Sequence, residues 1–256
     1  MKNVLAFFTR DIKQTLFFRS FLVEELVRPI AWFMLYTITI THNFRTINFN
    51  GQAMDYFSFL IPGIMVLLAF QRFSSTVVKA SNERRHGMFK MIMVSNVRAH
   101  EYILGRILFA STVVTLQGVL IYIVNNLFNF YRIDFRGFYT DYLVLVLMVF
   151  LAVVFWVTVG TIMGLWLDSA EQSSAVNVIF YLPVMFSSSI FYDLDRAPYM
   201  LRIIGMLNPL SYQTQVVRKL FLFGDLDMLA MSIVIFSSIG SLALAILKVG
   251  NSELVP

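Results

Sequence analysis

The chain contains no cysteine among its 256 residues. Disulfide bonds, thiol catalysis and cysteine-ligated metal sites are therefore excluded, while the redox compartment is left undetermined. The three histidines, His42, His86 and His100, do not pair at the spacing of metal ligands, and no H-E-x-x-H motif occurs. No Ser/His/Asp set can be singled out either. We therefore expect no catalytic residue, metal or cofactor in this chain.

A phosphate-binding loop is also missing, because no G-x-x-x-x-G-K-[ST] sequence occurs anywhere in the chain. The chain cannot bind and hydrolyse ATP through that device. Any dependence on ATP must then come from another subunit, which would carry the ATP and the magnesium.

Charge is scarce, since 14% of the residues are charged and 58% are hydrophobic. The apolar residues form long blocks, and the clearest one, Tyr142–Leu167, runs for 26 residues without a charge. About 20 apolar residues cross the hydrocarbon core of a bilayer. The alternating segments of a β-barrel are absent. The composition predicts an all-α membrane protein that crosses the bilayer several times.

Six spans are predicted after an amphipathic interface helix in residues 1–24, and they make residues 25–256 one transmembrane domain. A simple extension of the first span remains an alternative for that helix. The spans are approximately Glu25–Thr41, Tyr56–Val78, Tyr102–Phe128, Tyr142–Leu167, Ser173–Phe191 and Met228–Leu247.

Basic residues predict the orientation. With a cytoplasmic N-terminus, the inner segments hold 12 of the Lys and Arg residues and the outer segments hold 7. Positive residues favour the cytoplasmic side, so both termini are predicted to lie there. The net charge of +5 is explained in this way and not by nucleic acid. Arg98 and Arg106 are interpreted as positive-inside anchors.

Two segments between spans stand out. Residues 79–101 form a charged interruption on the cytoplasmic side, which suits contact with a soluble partner. Residues 193–225 are too polar to cross the membrane, and two short re-entrant helices dipping in from outside would fit them.

Polar residues inside the spans allow two interpretations. Asn125, Asn177 and Tyr181 either support helix packing or line a transport path. Gly160-x-x-x-Gly164 allows close helix approach, within one chain or between two copies.

Three segments together resemble a known family, the ABC-2 type transporter permeases related to drug, nodulation-factor and polysaccharide exporters. The start of the second span, Y-F-S-F-L-I-P-G-I from Tyr56 to Ile64, is similar to the family's aromatic-x-x-Φ-Φ-Φ-P-G signature. Glu83 to Phe89, E-R-R-H-G-M-F, is similar to its E-R-x-x-G-x-Φ segment, and Asn208 to Tyr212, N-P-L-S-Y, to its N-P-Φ-[ST]-Y segment.

The resemblance implies a non-enzymatic pore subunit that works as a dimer, most simply a homodimer, in a bacterial-type inner membrane. A separate cytoplasmic P-loop ATPase would drive it. The ATPase would contact a coupling loop, and the site residues carried over are Glu83, Arg84, Arg85, His86, Gly87, Phe89 and Lys90. Asn208, Pro209 and Tyr212 would belong to the extracellular re-entrant motif.

The function expected from this resemblance is export of an amphiphilic small molecule, a lipid or a lipid-linked glycan. An intramembrane lipid-modifying enzyme and a membrane scaffold without transport are the alternatives. The L-I-P-G start of the second span resembles the drug and nodulation-factor branch more closely than the capsule exporters, which favours an amphiphilic small molecule or a lipid-linked substrate and leaves polysaccharide export open. The sequence does not identify the substrate, and the direction of export is implied by the resemblance alone.

Overall fold

The chain folds as a bundle of long helices around one central helix. The computed structural model describes residues 2–17, 23, 25, 27, 29–31, 33–35, 46–49, 51–95, 97–128 and 139–251. The α-helices are α1 (Lys2–Phe17), α2 (Tyr56–Arg85), α3 (Met88–Val94), α4 (Ala99–Phe128), α5 (Tyr139–Gly164), α6 (Ala170–Val176), α7 (Leu182–Ser187), α8 (Tyr199–Leu207), α9 (Pro209–Phe223) and α10 (Met228–Asn251). A π-helical turn, Asn177–Tyr181, joins α6 to α7, and a 3₁₀ turn, Leu194–Arg196, precedes α8.

Among the described residues, four helices are long and apolar enough to cross a bilayer. They are Tyr56–Arg85, Ala99–Val124, Leu143–Gly164 and Met228–Asn251. The predicted second, third, fourth and sixth spans lie on these helices. The predicted first span falls partly outside the described residues, and residues 25, 27, 29–31 and 33–35 within it are helical. The count of six spans stays a prediction.

The predicted fifth span corresponds to the helical run from Ala170 to Ser187. Its middle is widened into the π-helical turn, and Pro183 follows directly in α7. Proline has no N–H to donate, so the helical hydrogen bonding is irregular there. Beyond Ser187 the chain leaves the helix, so this run ends before the predicted Phe191.

The central helix α2 starts with a cap and is buried along most of its length. Asp55 accepts a hydrogen bond from the Phe57 N–H at 3.1 Å, which satisfies one free donor of the first turn. α5 packs along α2 through two glycines. A β-carbon at Gly160 would lie 2.8 Å from the Phe73 carbonyl oxygen, and one at Gly164 would lie 2.6 Å from that of Val77. The G-x-x-x-G pair therefore joins two helices of the same chain.

A short hairpin was not predicted by the all-α interpretation. β1 (Thr46–Phe49) and β2 (Gln52–Asp55) pair antiparallel, with Phe49 opposite Gln52. Gly51 has a φ of 76°, a conformation that glycine adopts easily. The signal was present in the sequence, because Asn50-Gly51 is a strong hairpin turn pair.

The two ends of the bundle are named by the predicted orientation. The inner end carries Arg85, Ala99 and Gly164, and the outer end carries Tyr56, α8 and α9. α8 exposes an apolar stripe whose members include Tyr199, Met200 and Leu207. Whether α8 and α9 dip into the bilayer stays a prediction, although such a stripe suits contact with lipid.

Candidate coupling surface

The charged stretch predicted as a loop is a helical corner at the inner end. Residues 79–85 continue α2, and the chain then turns at His86 and Gly87 into α3. Gly87 has a φ of 71°, so glycine is the favoured residue at this turn. Residues 99–101 already belong to α4. The corner is therefore continuous with two membrane helices.

Glu83 points into the protein and is 2% exposed. Its carboxylate accepts a hydrogen bond from Arg10 on α1 at 2.7 Å and one from the Tyr102 hydroxyl on α4 at 2.7 Å. Arg106 on α4 forms a further ion pair with it. A carboxylate with these partners holds three helices together and does not face a soluble partner.

Arg106 is likewise buried, at 3% exposed. Its interpretation as a positive-inside anchor was wrong, because the guanidinium pairs with Glu83 inside the bundle and lies 4.6 Å from the centre of the Tyr102 ring. Sequence position near the end of a span does not reveal which face of the helix the side chain occupies.

α1 is fixed to this cluster by a second carboxylate. Asp11, 1% exposed, pairs with Lys79 on α2 at 2.8 Å and with the neighbouring Arg10 at 2.9 Å. α1 also crosses α4 closely, since a β-carbon at Gly105 would lie 2.6 Å from the Cβ of Phe7. The opposite face of α1 exposes apolar side chains such as Leu5 and Leu16, as an interface helix requires.

The outward face of the corner is basic and apolar. Arg84, Arg85, His86 and Lys90 are exposed, and Gly87 is partly exposed. Phe89 is buried, with its ring 5.8 Å from that of Tyr102. α3 adds exposed apolar side chains, namely Met88, Met91 and Val94. We call Arg84, Arg85, His86, Lys90 and these three apolar residues the corner surface.

A second inner turn lies beside the corner surface and was not identified from the sequence. Arg84 pairs with Asp168, just after α5, at 2.9 Å and donates to the Leu165 carbonyl oxygen. The Ser173 hydroxyl donates to the Ser81 hydroxyl at 2.9 Å. The signal was Asp168 itself, the first charge after the long uncharged run.

Glu171 adds a carboxylate to this turn. Its pKa lies below the ordinary value, because the group accepts hydrogen bonds from its own backbone N–H and from Ser169, and Arg85 adds an attractive charge. Glu171 is thus charged at neutral pH. The inner surface therefore combines cations from the corner with carboxylates from the second turn.

The outer N-P-L-S-Y motif starts α9. Asn208 accepts a hydrogen bond from the Leu210 N–H at 3.0 Å, and Pro209 occupies the first turn, where its missing N–H costs little. The Asn208 amide nitrogen donates to the Val184 carbonyl oxygen at 2.7 Å, and the Tyr212 hydroxyl donates to that of Met206 at 2.8 Å. The motif therefore caps one helix and ties it to α7 and α8.

Two comparisons with known proteins indicate the family of the chain. The profile of the family described as ABC-2 type transporter matches residues 2–222. The chain belongs to the ABC-2 type transporter family. It is also similar to a protein of Cyanophora paradoxa named "Putative transport permease ycf38", with 25% identity over 202 residues, which are 78% of this chain and 67% of that relative. The resemblance inferred from the three segments is thereby confirmed.

Family membership supports a transport permease subunit embedded in the membrane, as expected for a chain without a phosphate loop. Within the described ranges, no three His, Asp or Glu side chains come together as a metal site would require.

The predicted transport-path residues of this ABC-2 transporter are only partly located. Asn177 and Tyr181 share the π-helical turn, a feature frequent at functional sites. The Tyr181 ring stacks on Phe70 with centroids 4.5 Å apart, and the buried Asn177 Oδ1 has no hydrogen-bond partner among the described residues. The side chain of Asn125 lies outside what the structure describes.

Arg218 was missed because it was counted as an outer basic residue. It is 1% exposed, and its guanidinium donates to the carbonyl oxygens of Phe59, Ser189 and Ile190 at 2.9–3.0 Å. Gly63 leaves room for the Arg218 guanidinium, since a β-carbon at Gly63 would lie only 3.3 Å from it. Arg218 thus joins α9 to the outer end of α2.

Proposed function

We propose that this chain is the pore-forming subunit of an ATP-driven exporter, energised by a separate P-loop ATPase. Its cargo would be an amphiphilic small molecule, a lipid or a lipid-linked glycan. The observation that carries the proposal is the exposed corner surface on a buried charge cluster, in a permease-family chain with no phosphate loop. The energy for transport must come from another subunit, and the corner surface is a suitable place for that subunit to bind.

The residues of the corner divide into two roles in this proposal. Arg84, Arg85, His86 and Lys90 contact the ATPase, because they are exposed and charged or polar. Charges of one sign steer association with a partner of opposite sign, so the ATPase face is expected to be acidic there. Glu83, Gly87 and Phe89 shape and anchor the corner from within.

The anchor makes the coupling stiff. A displacement of α3 reaches α4 through the buried Phe89 ring, and a displacement of the inner end of α2 reaches α1 through the Arg10–Glu83 contact. Ion pairs buried on three helices favour discrete arrangements over gradual bending. Movement of the ATPase would therefore be passed to α1, α2 and α4 together.

The proposed topology has six spans, cytoplasmic termini and outer re-entrant helices, in a bacterial-type inner membrane. Two copies form the pore. A candidate contact between copies is the outward face of the uncharged residues 172–187, where Ile179 is 73% and Phe186 is 56% exposed. The unpartnered Asn177 oxygen lies on the same run and is suited to a hydrogen bond between helices.

Copurification tests the proposal. The tagged full chain, isolated in mild detergent from its native host, should bring down a P-loop ATPase. Reversing two exposed charges, Arg85→Glu with Lys90→Glu, should weaken that association by about tenfold or more. The matched control is Arg196→Glu, an exposed charge at the outer end, which should leave the association unchanged.

Two results of this experiment would contradict the proposal. An ATPase retained at full strength by the doubly reversed variant would place the contact elsewhere. Reproducible isolation of the chain alone, with lipid-modifying activity in vesicles, would favour the enzyme alternative instead.

A further inference from the structure

An apolar cavity of about 290 Å³ lies in the outer half of the bundle, away from the corner surface. Its walls include Ile61, Ile64 and Leu68 of α2 and Gly118 and Tyr122 of α4. Both helices are candidate membrane spans by length and composition, so we expect the cavity to lie at the depth of the hydrocarbon core. Apart from Gly118, its two chain neighbours and the nearby backbone of its own helix, no described atom lies within 4 Å of the place that a β-carbon on Gly118 would take.

A buried polar cluster lies on the same two helices, beside the residues that line the cavity in the chain. Arg72 follows Leu68 by one helical turn, and Gln117 precedes Gly118. Both side chains bind Glu25: the Arg72 guanidinium donates to its carboxylate at 2.5 Å, and the Gln117 amide donates to its backbone oxygen at 2.8 Å. Arg72 is 4% exposed and Gln117 is 1% exposed.

Two buried side-chain atoms of this cluster form no hydrogen bond among the described residues. Arg72 Nε, a donor, and Gln117 Oε1, an acceptor, have no hydrogen-bond partner in the part of the chain that the structure describes. Buried polar atoms are nearly always paired, because leaving them without a partner is costly. One donor and one acceptor, on two side chains that both bind Glu25, would suit a group that accepts one hydrogen bond and donates another.

We infer that the cavity binds the alkyl chain of a neutral lipid bearing a free hydroxyl, such as a long-chain alcohol. The hydroxyl accepts from Arg72 Nε–H and donates to Gln117 Oε1, while the chain fills the apolar cavity. A carboxylate head would meet the Glu25 carboxylate and has no proton for Gln117. An ammonium head would meet the Arg72 guanidinium. This inference does not depend on the ATPase partner or on transport.

Photolabelling of the full chain in lipid nanodiscs tests the site. The probe is a straight-chain alcohol with a diazirine on its alkyl chain, and the comparison probes are its methyl ether and the matching alkane. The alcohol should label the lining of the cavity in a saturable way, and an excess of unmodified alcohol should abolish that label. The ether cannot donate to Gln117, so it should bind at least about tenfold more weakly.

A cavity-filling substitution provides the second arm. Gly118→Leu places a side chain in the open space and should reduce labelling by about tenfold or more. Gly240→Leu is the matched control, since Gly240 is a helical glycine of α10 that also has open space around it. It should leave the label unchanged.

Three outcomes would overturn the inference. Label spread evenly over the lipid-facing residues of α10 would show unspecific partitioning. Equal labelling by alcohol, ether and alkane would show that no hydroxyl is recognised. If unmodified alcohol did not compete with the probe in the unsubstituted chain, the cavity would not be a specific site. This outcome can be measured even if Gly118→Leu fails to fold.

Discussion

Arg10 on α1 donates a hydrogen bond of 2.7 Å to Glu83 on α2, although 73 residues separate the two along the chain. The contact belongs to a cluster in which two buried carboxylates, Asp11 and Glu83, hold three cations. Those cations are Arg10, Lys79 and Arg106. Each carboxylate is shared, so the loss of one leaves buried positive charge without compensation.

Glu83→Gln should therefore destabilise the protein strongly. Breaking a buried ion pair on one side costs about 3–5 kcal/mol, because the remaining charge stays buried. Thermal unfolding of the purified chain in detergent, followed by intrinsic fluorescence, should show a clearly lower Tm. The exposed Glu171→Gln serves as the control and should change Tm little. An unchanged Tm for Glu83→Gln would refute the anchoring role, and adding Arg106→Met should recover part of the loss.

Gly164→Ala and Gly240→Ala should shift stability in opposite directions. Alanine favours a helix over glycine by roughly 0.5–1 kcal/mol, and at Gly240 nothing opposes this gain. At Gly164 the new β-carbon would lie 2.6 Å from the Val77 carbonyl oxygen, and such overpacking costs about 1–3 kcal/mol. The same unfolding measurement compares them. If Gly164→Ala instead left Tm unchanged and weakened dimers, the glycine pair would join two copies.

Asp227 should contribute a stabilisation that acid removes. Burial alone would raise the pKa of this carboxyl, but the hydrogen bonds from Lys219 and the Ala230 N–H, with the Lys219 charge, bring it below the ordinary value of 3.8. The unfolded chain then binds the proton more readily than the folded chain. The stabilisation is complete above the unfolded pKa and is lost as pH falls through the folded pKa.

The variant Asp227→Asn tests this sign. Its Tm should lie below that of the unsubstituted chain at neutral pH, and the gap should shrink as the pH is lowered below about 4. Unfolding scans across a pH series provide the measurement. A gap that stays constant down to the lowest pH would show that the charge of Asp227 contributes nothing.

Cross-linking should locate the contact between copies, since the chain has no cysteine of its own. A thiol introduced as Ile179→Cys should join two chains through a short bis-maleimide, because equivalent residues near a twofold axis approach each other. Phe236→Cys on α10, 75% exposed in the native residue, is the control. The readout is a band of twice the mass on a denaturing gel. Equal yields at both positions would argue against this face.

The outer motif shows how much a local pattern can predict. Asn208 followed by Pro209 is a helix start by capping rules alone, and the structure has α9 begin there. The turn at Gly87 and the exposure of Arg85 and Lys90 also follow from local chemistry. The burial of Glu83 could not be predicted in this way, because a carboxylate next to Arg84 and Arg85 has the sequence pattern of a solvated surface.

The sequence by itself determined the class of protein, four candidate membrane-spanning helices and the ABC-2 type transporter family, because hydropathy and short motifs act over neighbouring residues. Only the tertiary structure decided which charges are inside and what the glycines contact. Glu83 accepts a hydrogen bond from Arg10, 73 residues away in the chain, and Arg218 donates one to the Phe59 carbonyl oxygen, 159 residues away. Such pairs depend on how helices cross, and crossing is set by the packing of whole faces, which no local pattern encodes.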